Sequence, residues 1–203
     1  MNDLIAEYYR TKVEALEWTD VNGAMVRPIS VKKPVGKDKT VTQTFPVACD
    51  INWEDCEERP DVLRTFTPDS SKRAVIYFED KGVSQGVYSG KQRFVSRLRL
   101  VCWMNLPRFE NSGCSLSFYA ISSIKDAIMA PRAVNYQSVI QAMITDNIRI
   151  AVKDKSIFAA YTYNEFKQFL VYPYDYFAID IETVFDVNGS CVPELIPQDD
   201  ECS

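Results

Sequence analysis

No histidine occurs among the 203 residues, which removes the usual general base, the commonest metal ligand and every triad built on imidazole. Any chemistry must come from carboxylates, thiols or a phosphate-cradling backbone loop, and three groups carry those residue types. Gly86-Val87-Tyr88-Ser89-Gly90-Lys91-Gln92 looks like a phosphate loop. Such a loop needs four residues between its glycines, a Ser or Thr after the lysine, and a helix whose N-terminus meets the phosphate. Here three residues separate the glycines, Gln92 follows the lysine, and a strand-like run comes next, so the segment reads as a hairpin connection. The acids Asp50, Glu54, Asp55, Glu57, Glu58 and Asp61 lack the ordered Asp/Asn/Gly spacing of a calcium loop and read as a solvated loop. Six cysteines stand at 49, 56, 102, 114, 191 and 202. They form no Cys-x-x-Cys pair and have no histidine to complete a mixed zinc site. The expectation is free thiols in a reducing cytoplasm, with Cys102 a small buried hydrophobe, and no catalytic residue, cofactor or metal.

Over this length, 46% apolar and 25% charged residues is ordinary globular composition, enough for one core. With Asn2 or Asp3 as cap, Leu4, Ile5, Tyr8, Tyr9, Val13 and Leu16 recur at helical spacing. Residues 24–31 and 40–51 read as strands of a hairpin, and 52–68 as loop with one turn of helix. Runs 73–79 and 91–104 are strands joined by a glycine-bearing loop. In the second, Leu98, Leu100 and Cys102 share one face while Arg97, Arg99, Val101 and Trp103 share the other. A helix is predicted from about Ser115 through Met129, stopped at Pro131. Asn135 is predicted to cap another, with Val139, Ile140, Met143 and Ile144 inward. Strands return at 148–152 and at 174–187, where Phe177, Ile179, Ile181, Thr183 and Phe185 alternate with Ala178, Asp180, Glu182, Val184 and Asp186. The order predicts an α+β fold, a mostly antiparallel sheet with helices packed on one face. It forms a single domain over 1–190 with extended loops at 32–40, 52–70 and 80–91, followed by an acidic arm at 191–203.

Charge is unevenly placed. The net charge is −5, and from Asp186 onward there are five acids and no lysine or arginine, so the remainder is neutral. That is not the footprint of a general nucleic-acid binder, which needs a basic excess. The cluster Arg27, Lys32, Lys33, Lys37 and Lys39 reads first as a solvated loop, with a polyanion contact as the alternative. The start of the chain has neither the basic end nor the apolar run of a secretory signal, and no run approaches 18 apolar residues; no membrane partner is expected. The aromatic stretch Tyr161, Tyr163, Phe166, Phe169, Tyr172, Tyr174, Tyr176 and Phe177 has two readings. It is either amphipathic packing around a Pro173 corner or a protein contact surface, for which tyrosine suits by its rigid area.

The Pro173-Tyr174-Asp175-Tyr176-Phe177 corner feeding a closing alternating strand, with the N-terminal amphipathic helix and the central strand from Arg93 to Met104, resembles the neck and tail-completion proteins of tailed bacteriophages. The likeness is to ring proteins of crAss-like phages in particular. The resemblance covers most of the chain as an order of elements and rests on no catalytic signature. It implies a tail-terminator-like fold and a virion structural role without enzymatic activity. It further implies a homo-oligomeric ring stacked with other neck, tail or portal proteins, through which genomic DNA passes without sequence-specific binding, assembled in the host bacterial cytoplasm. Two other classes remain on the residues alone: a non-enzymatic bacterial protein-binding module, and an enzyme using carboxylates or cysteine. Candidate interface residues are Arg97, Arg99, Asp180, Glu182, Lys32, Lys33, Tyr172 and Tyr174. The two charged pairs alternate with apolar residues and must face away from the core. They form either a cross-strand ladder in one sheet or separate basic and acidic patches that meet between copies.

Overall fold

The structure is a computed structural model that describes residues 1–35, 39–49, 62–88, 91–109, 116–129, 134–136, 140–162 and 168–187. The chain runs α1 (Asn2–Glu14), β1 (Val21–Val35), β2 (Lys39–Cys49), β3 (Leu63–Thr65), β4 (Ala74–Tyr88), β5 (Lys91–Asn105), α2 (Leu116–Met129), β6 (Val134–Tyr136), β7 (Ile140–Val152) and β8 (Tyr174–Val187). Short 3-10 turns lie at Leu106–Arg108 and Lys155–Phe158. The strands make one mixed eight-stranded sheet in the order β3-β2-β1-β4-β5-β8-β7-β6. Only the β1 and β4 pairing is parallel. The α+β class and the mostly antiparallel sheet are as the sequence predicts.

Helical spacing sets the first layer. Ile5, Ala6, Tyr8, Tyr9 and Val13 of α1 are buried, while Glu7, Arg10 and Glu14 stay outward and pair at 2.6 and 2.7 Å. α2 contributes Ala120, Ile121, Ile124 and Ile128. Both helices pack in one cluster with Leu98, Leu100, Cys102, Phe177, Ile179, Ile181 and Phe185, the face that strict alternation in β8 specifies. One hydroxyl chain crosses this layer. Tyr9 Oη lies 2.7 Å from Thr183 Oγ1 and 2.7 Å from Thr145 Oγ1, and Thr145 donates to the Ile128 carbonyl at 3.2 Å. Each hydroxyl then donates once, linking β8, α1, β7 and α2 in that order.

Several expectations change. Asn2 does not cap α1, which has Met1 at its N-cap. Its buried side chain instead donates to Asp80 Oδ1 at 2.6 Å and accepts from Ser96 Oγ at 2.5 Å. The segment predicted as a helix capped by Asn135 is strand: β6 and then β7, with Met143 buried and Ile144 exposed. Two register shifts, between Gln141 and Ile144 and between Thr145 and Asn147, break the strand's period of two and leave apolar residues at helix-like spacing. The expected loops at 32–40 and 80–91 are largely paired ribbon, since ladder pairing continues to Val35 opposite Lys39 and to Tyr88 opposite Lys91. The second ribbon passes a bulge between Asp80 and Val83, where Gly82 takes φ 99°, a conformation that favours glycine. Part of the 52–70 loop is β3, and its neighbour Phe66 explains Gly23. A Cβ there would sit 2.5 Å from Phe66 Cε1, so only glycine lets the ring close over β1.

The sheet's second face is also partly covered. Val26, Val75, Tyr77, Val101, Trp103, Tyr176 and Ala178 form a second buried cluster with Phe66, Ile157, Phe158 and Tyr161. Helices thus cover one face, as expected, but Phe66 and residues 157, 158 and 161 after β7 cover part of the other.

Candidate functional site

The outer face, opposite the helices, changes character along its strands. From the Trp103 and Tyr176 rung to the Val101 and Ala178 rung it is apolar and covered; beyond that it is charged and open. Register places Arg99 opposite Asp180, Arg97 opposite Glu182 and Arg93 opposite Asp186. Each couple is an ion pair: Arg99 Nε to Asp180 Oδ1 at 2.6 Å with a second contact at 3.0 Å, Arg97 Nε to Glu182 Oε1 at 3.0 Å, and Arg93 Nε to Asp186 Oδ1 at 3.0 Å. The hydrogen bonds it donates to Asp180 hold the Arg99 guanidinium above its ordinary pKa against partial burial. The four predicted charged residues therefore meet within one chain as a cross-strand ladder, and the version with separate basic and acidic patches is not what the fold presents. With Arg97 and Glu182 side chains 45% and 37% exposed, such a rung contributes about 0.2–1 kcal/mol.

The row through Arg99 extends across four strands. Glu79 on β4 stands opposite Arg99, and Arg149 on β7 stands opposite Asp180, giving acid, base, acid, base. Glu79 is buried and accepts from Tyr161 Oη at 2.8 Å and from Lys81 Nζ at 2.8 Å, so its charge is satisfied on the inner end of the row. Arg149 is exposed at the outer end and makes no ion pair among the described residues. Lys81, Arg97, Arg99, Asn147, Arg149, Asp180 and Glu182 surround a depression of about 370 Å³ on this face, with four cationic side chains and two carboxylates. The sequence does not single out Lys81, Asn147, Arg149 or Glu79. Only the β8 and β7 register brings Arg149 to the row, and the bulges in β7 hide that register from any reading of periodicity.

The other candidates lie apart from this face's centre. Lys32 and Lys33 are exposed on the β1 and β2 ribbon, with Lys33 Nζ 5.6 Å from the Phe45 ring centroid. Tyr172, 87% exposed, precedes a cis bond to Pro173. Tyr174 is not a free contact residue: its ring packs 5.1 Å from Trp103 and 5.2 Å from Phe169, whose carbonyl accepts from Trp103 Nε1 at 3.0 Å. Tyr161, Tyr176 and Phe177 are buried, so most of the aromatic stretch is packing. Tyr163 and Phe166 lie outside the described residues. So do the acids from Asp50 to Asp61, Lys37, Cys56, Cys114, Cys191, Cys202 and the arm at 191–203. The Gly86 to Lys91 segment belongs to a hairpin, and Lys91 opens β5, not a helix. Among the described residues no three acids or cysteines stand close enough to hold a metal, and no helix is long and apolar enough to cross a membrane.

Comparison with protein-family models, with curated proteins and with solved structures found no match. The site presents paired charge and a concave cationic surface next to a sheet edge, an arrangement suited to holding another macromolecular surface.

Proposed function

We propose that the chain is a non-enzymatic structural subunit of a ring in the neck or tail of a tailed bacteriophage, with a tail-terminator-like fold. It is made in the bacterial cytoplasm and carried in the virion. Copies associate into a homo-oligomeric ring that stacks on other neck, tail or portal proteins, and the genome passes through without sequence-specific contacts. The observation that carries this reading is the open edge of β7. β6 pairs only with Ile140 and Met143, so among the described residues no strand lies beside 145–152. Ile144, Ile150 and Val152 are exposed there together with Arg149. A long strand edge with unpaired backbone groups and apolar side chains is where a second chain adds. Its charged neighbour, the ladder face, supplies orientation. Mass photometry and negative-stain microscopy of the purified chain test this. Closed particles of one stoichiometry are expected, and a chain that stays monomeric at every concentration, alone and with phage neck and portal proteins, overturns it.

A further inference from the structure

We propose that the cationic depression on the outer face binds the acidic segment Asp199-Asp200-Glu201 of a second copy of this chain. The proposal rests on the reading of the chain as self-assembling and names the contact that would join the copies. Two observations point to it. First, the depression has four cationic side chains against two carboxylates, and its charges are not mutually satisfied. Arg99 is held by two contacts to Asp180 and Lys81 by Glu79, while Arg149 projects with no ion pair among the described residues. Second, the chain segregates its excess acid. Residues 186–203 hold five acids and no base, and the rest balances. Asp199, Asp200 and Glu201 follow Val192, Leu195 and Ile196, giving apolar residues beside the charges.

Exposed partners for such a segment line one edge, since Arg149 borders the depression on the outer face while Ile150 and Val152, in register with Ile179 and Phe177, are exposed along the same β7 edge on the helix-bearing face. A neighbour approaching that edge can set its apolar residues beside the strand and its carboxylates over Arg149, Lys81 and the free rims of Arg97 and Arg99. Val187, where β8 ends, lies about 23 Å along the strand from Asp180, and the twelve residues from there to Asp199 are long enough to bring the chain's own carboxylates or a neighbour's to the depression; the open β7 edge beside it selects the neighbour. A contact of this kind is salt-sensitive, because exposed charges are screened over about 8–10 Å near physiological ionic strength.

The test uses the full chain, a tail-neutral variant (Asp199→Asn, Asp200→Asn, Glu201→Gln), Arg149→Gln and Arg149→Glu, and a fluorescent peptide of residues 192–201. Melting curves confirm that each variant folds; Arg149 is exposed, and the Gln variant stands in if the Glu variant is unstable. The peptide is expected to bind the tail-neutral variant. Its affinity should fall at least about fivefold with either Arg149 change placed in that background and fall again when salt is raised. Self-association of the full chain should shift to at least about fivefold higher concentration in the tail-neutral and Arg149→Glu variants. Peptide binding that ignores Arg149, or no binding, overturns the site. Assemblies that form normally from the tail-neutral variant overturn the proposal while leaving the ring reading intact. Peptide binding with a wild-type chain that never self-associates assigns the depression to the chain's own segment and overturns both the second-copy contact and the ring reading.

Discussion

Replacing Tyr9 by Phe removes one oxygen from a fully buried position and interrupts the hydroxyl chain across the helical layer. Thr183 loses its acceptor at 2.7 Å and is itself fully buried. A stranded buried hydroxyl costs about 1–3 kcal/mol. Thr145 loses an incoming bond but keeps the Ile128 carbonyl at 3.2 Å, so it adds little. Packing is unchanged, since the ring keeps its place stacked on Phe78 with centroids 6.4 Å apart. We therefore expect Tyr9→Phe to lower unfolding free energy by about 1–3 kcal/mol in urea melts, through the midpoint and not the slope. Thr183→Val removes the stranded group with nearly the same shape. The double variant should be more stable than the sum of the two single losses by about 1 kcal/mol or more, the coupling expected for residues in one hydrogen-bonded network. A loss below about 0.5 kcal/mol for Tyr9→Phe, or strict additivity in the cycle, would refute the account of this chain as the joint between the helices and the strands.

Three further expectations follow from the same geometry. Ile179→Ala empties a fully buried position between Leu100 and Ile150 in the register, and should cost about 2–5 kcal/mol; a loss under 1 kcal/mol in denaturant melts would mean the helices do not close over β8. Burial, reinforced by the charge of Asp175, pushes the Cys102 thiol well above its ordinary pKa. Peptide mapping after iodoacetamide at pH 8 should find it unmodified in the native chain and modified in guanidinium, and native labelling at the rate of a peptide thiol would contradict the core assignment. Burial works to raise the Asp20 carboxyl, but hydrogen bonds from Arg73, at 2.6 Å from its backbone and 2.7 and 3.0 Å from its guanidinium, hold it below the usual value. A depressed folded-state pKa stabilises above the unfolded value near pH 4 and loses that contribution as pH falls through it. The thermal midpoint advantage of wild type over Asp20→Asn should therefore be present at pH 6 and shrink below about pH 4; an advantage independent of pH would place the clasp's role elsewhere.

What the residue order reveals depends on how regular each strand is. β8 is legible because nothing interrupts its alternation from Tyr174 to Val187, and once its inner face is known, the partners Leu98 and Leu100 on β5 follow. α1 is legible for the same reason at a different period, though its first residue is not: Asn2 has the chemistry of a cap, and only the approach of Asp80 and Ser96 shows that its amide is used sideways. β7 misleads because two extra residues leave its core-facing Ile140, Met143 and Ile148 at spacings that are not the strand's period of two and that imitate a helix. The ladder Arg97–Glu182 and Arg99–Asp180 could be foreseen as a possibility, since each partner lies on a polar strand face. That they are neighbours is a fact of strand order, which no local pattern encodes. Arg149 and Lys81 are hidden for the same reason, one behind the β7 bulges and the other inside the β4 bulge between Asp80 and Val83.

Among the described residues the last strand in sequence is not at the margin of the sheet. β8 lies between β5 and β7, and among those residues β7 with β6 joins the rest of the sheet through it alone. Until residues 174–187 have left the ribosome, the nascent chain therefore holds a β5 paired on its β4 side only, whose Leu98, Leu100 and Cys102 lack their partners Ile181, Ile179 and Phe177, plus a detached ribbon carrying Ile148, Ile150 and Val152. Strand edges and apolar rows of that kind attract other chains. Residues 174–187 are thus the piece that joins the two parts of the sheet, and a ribosome that stalls within β8 releases not a shortened protein but an open, adhesive one.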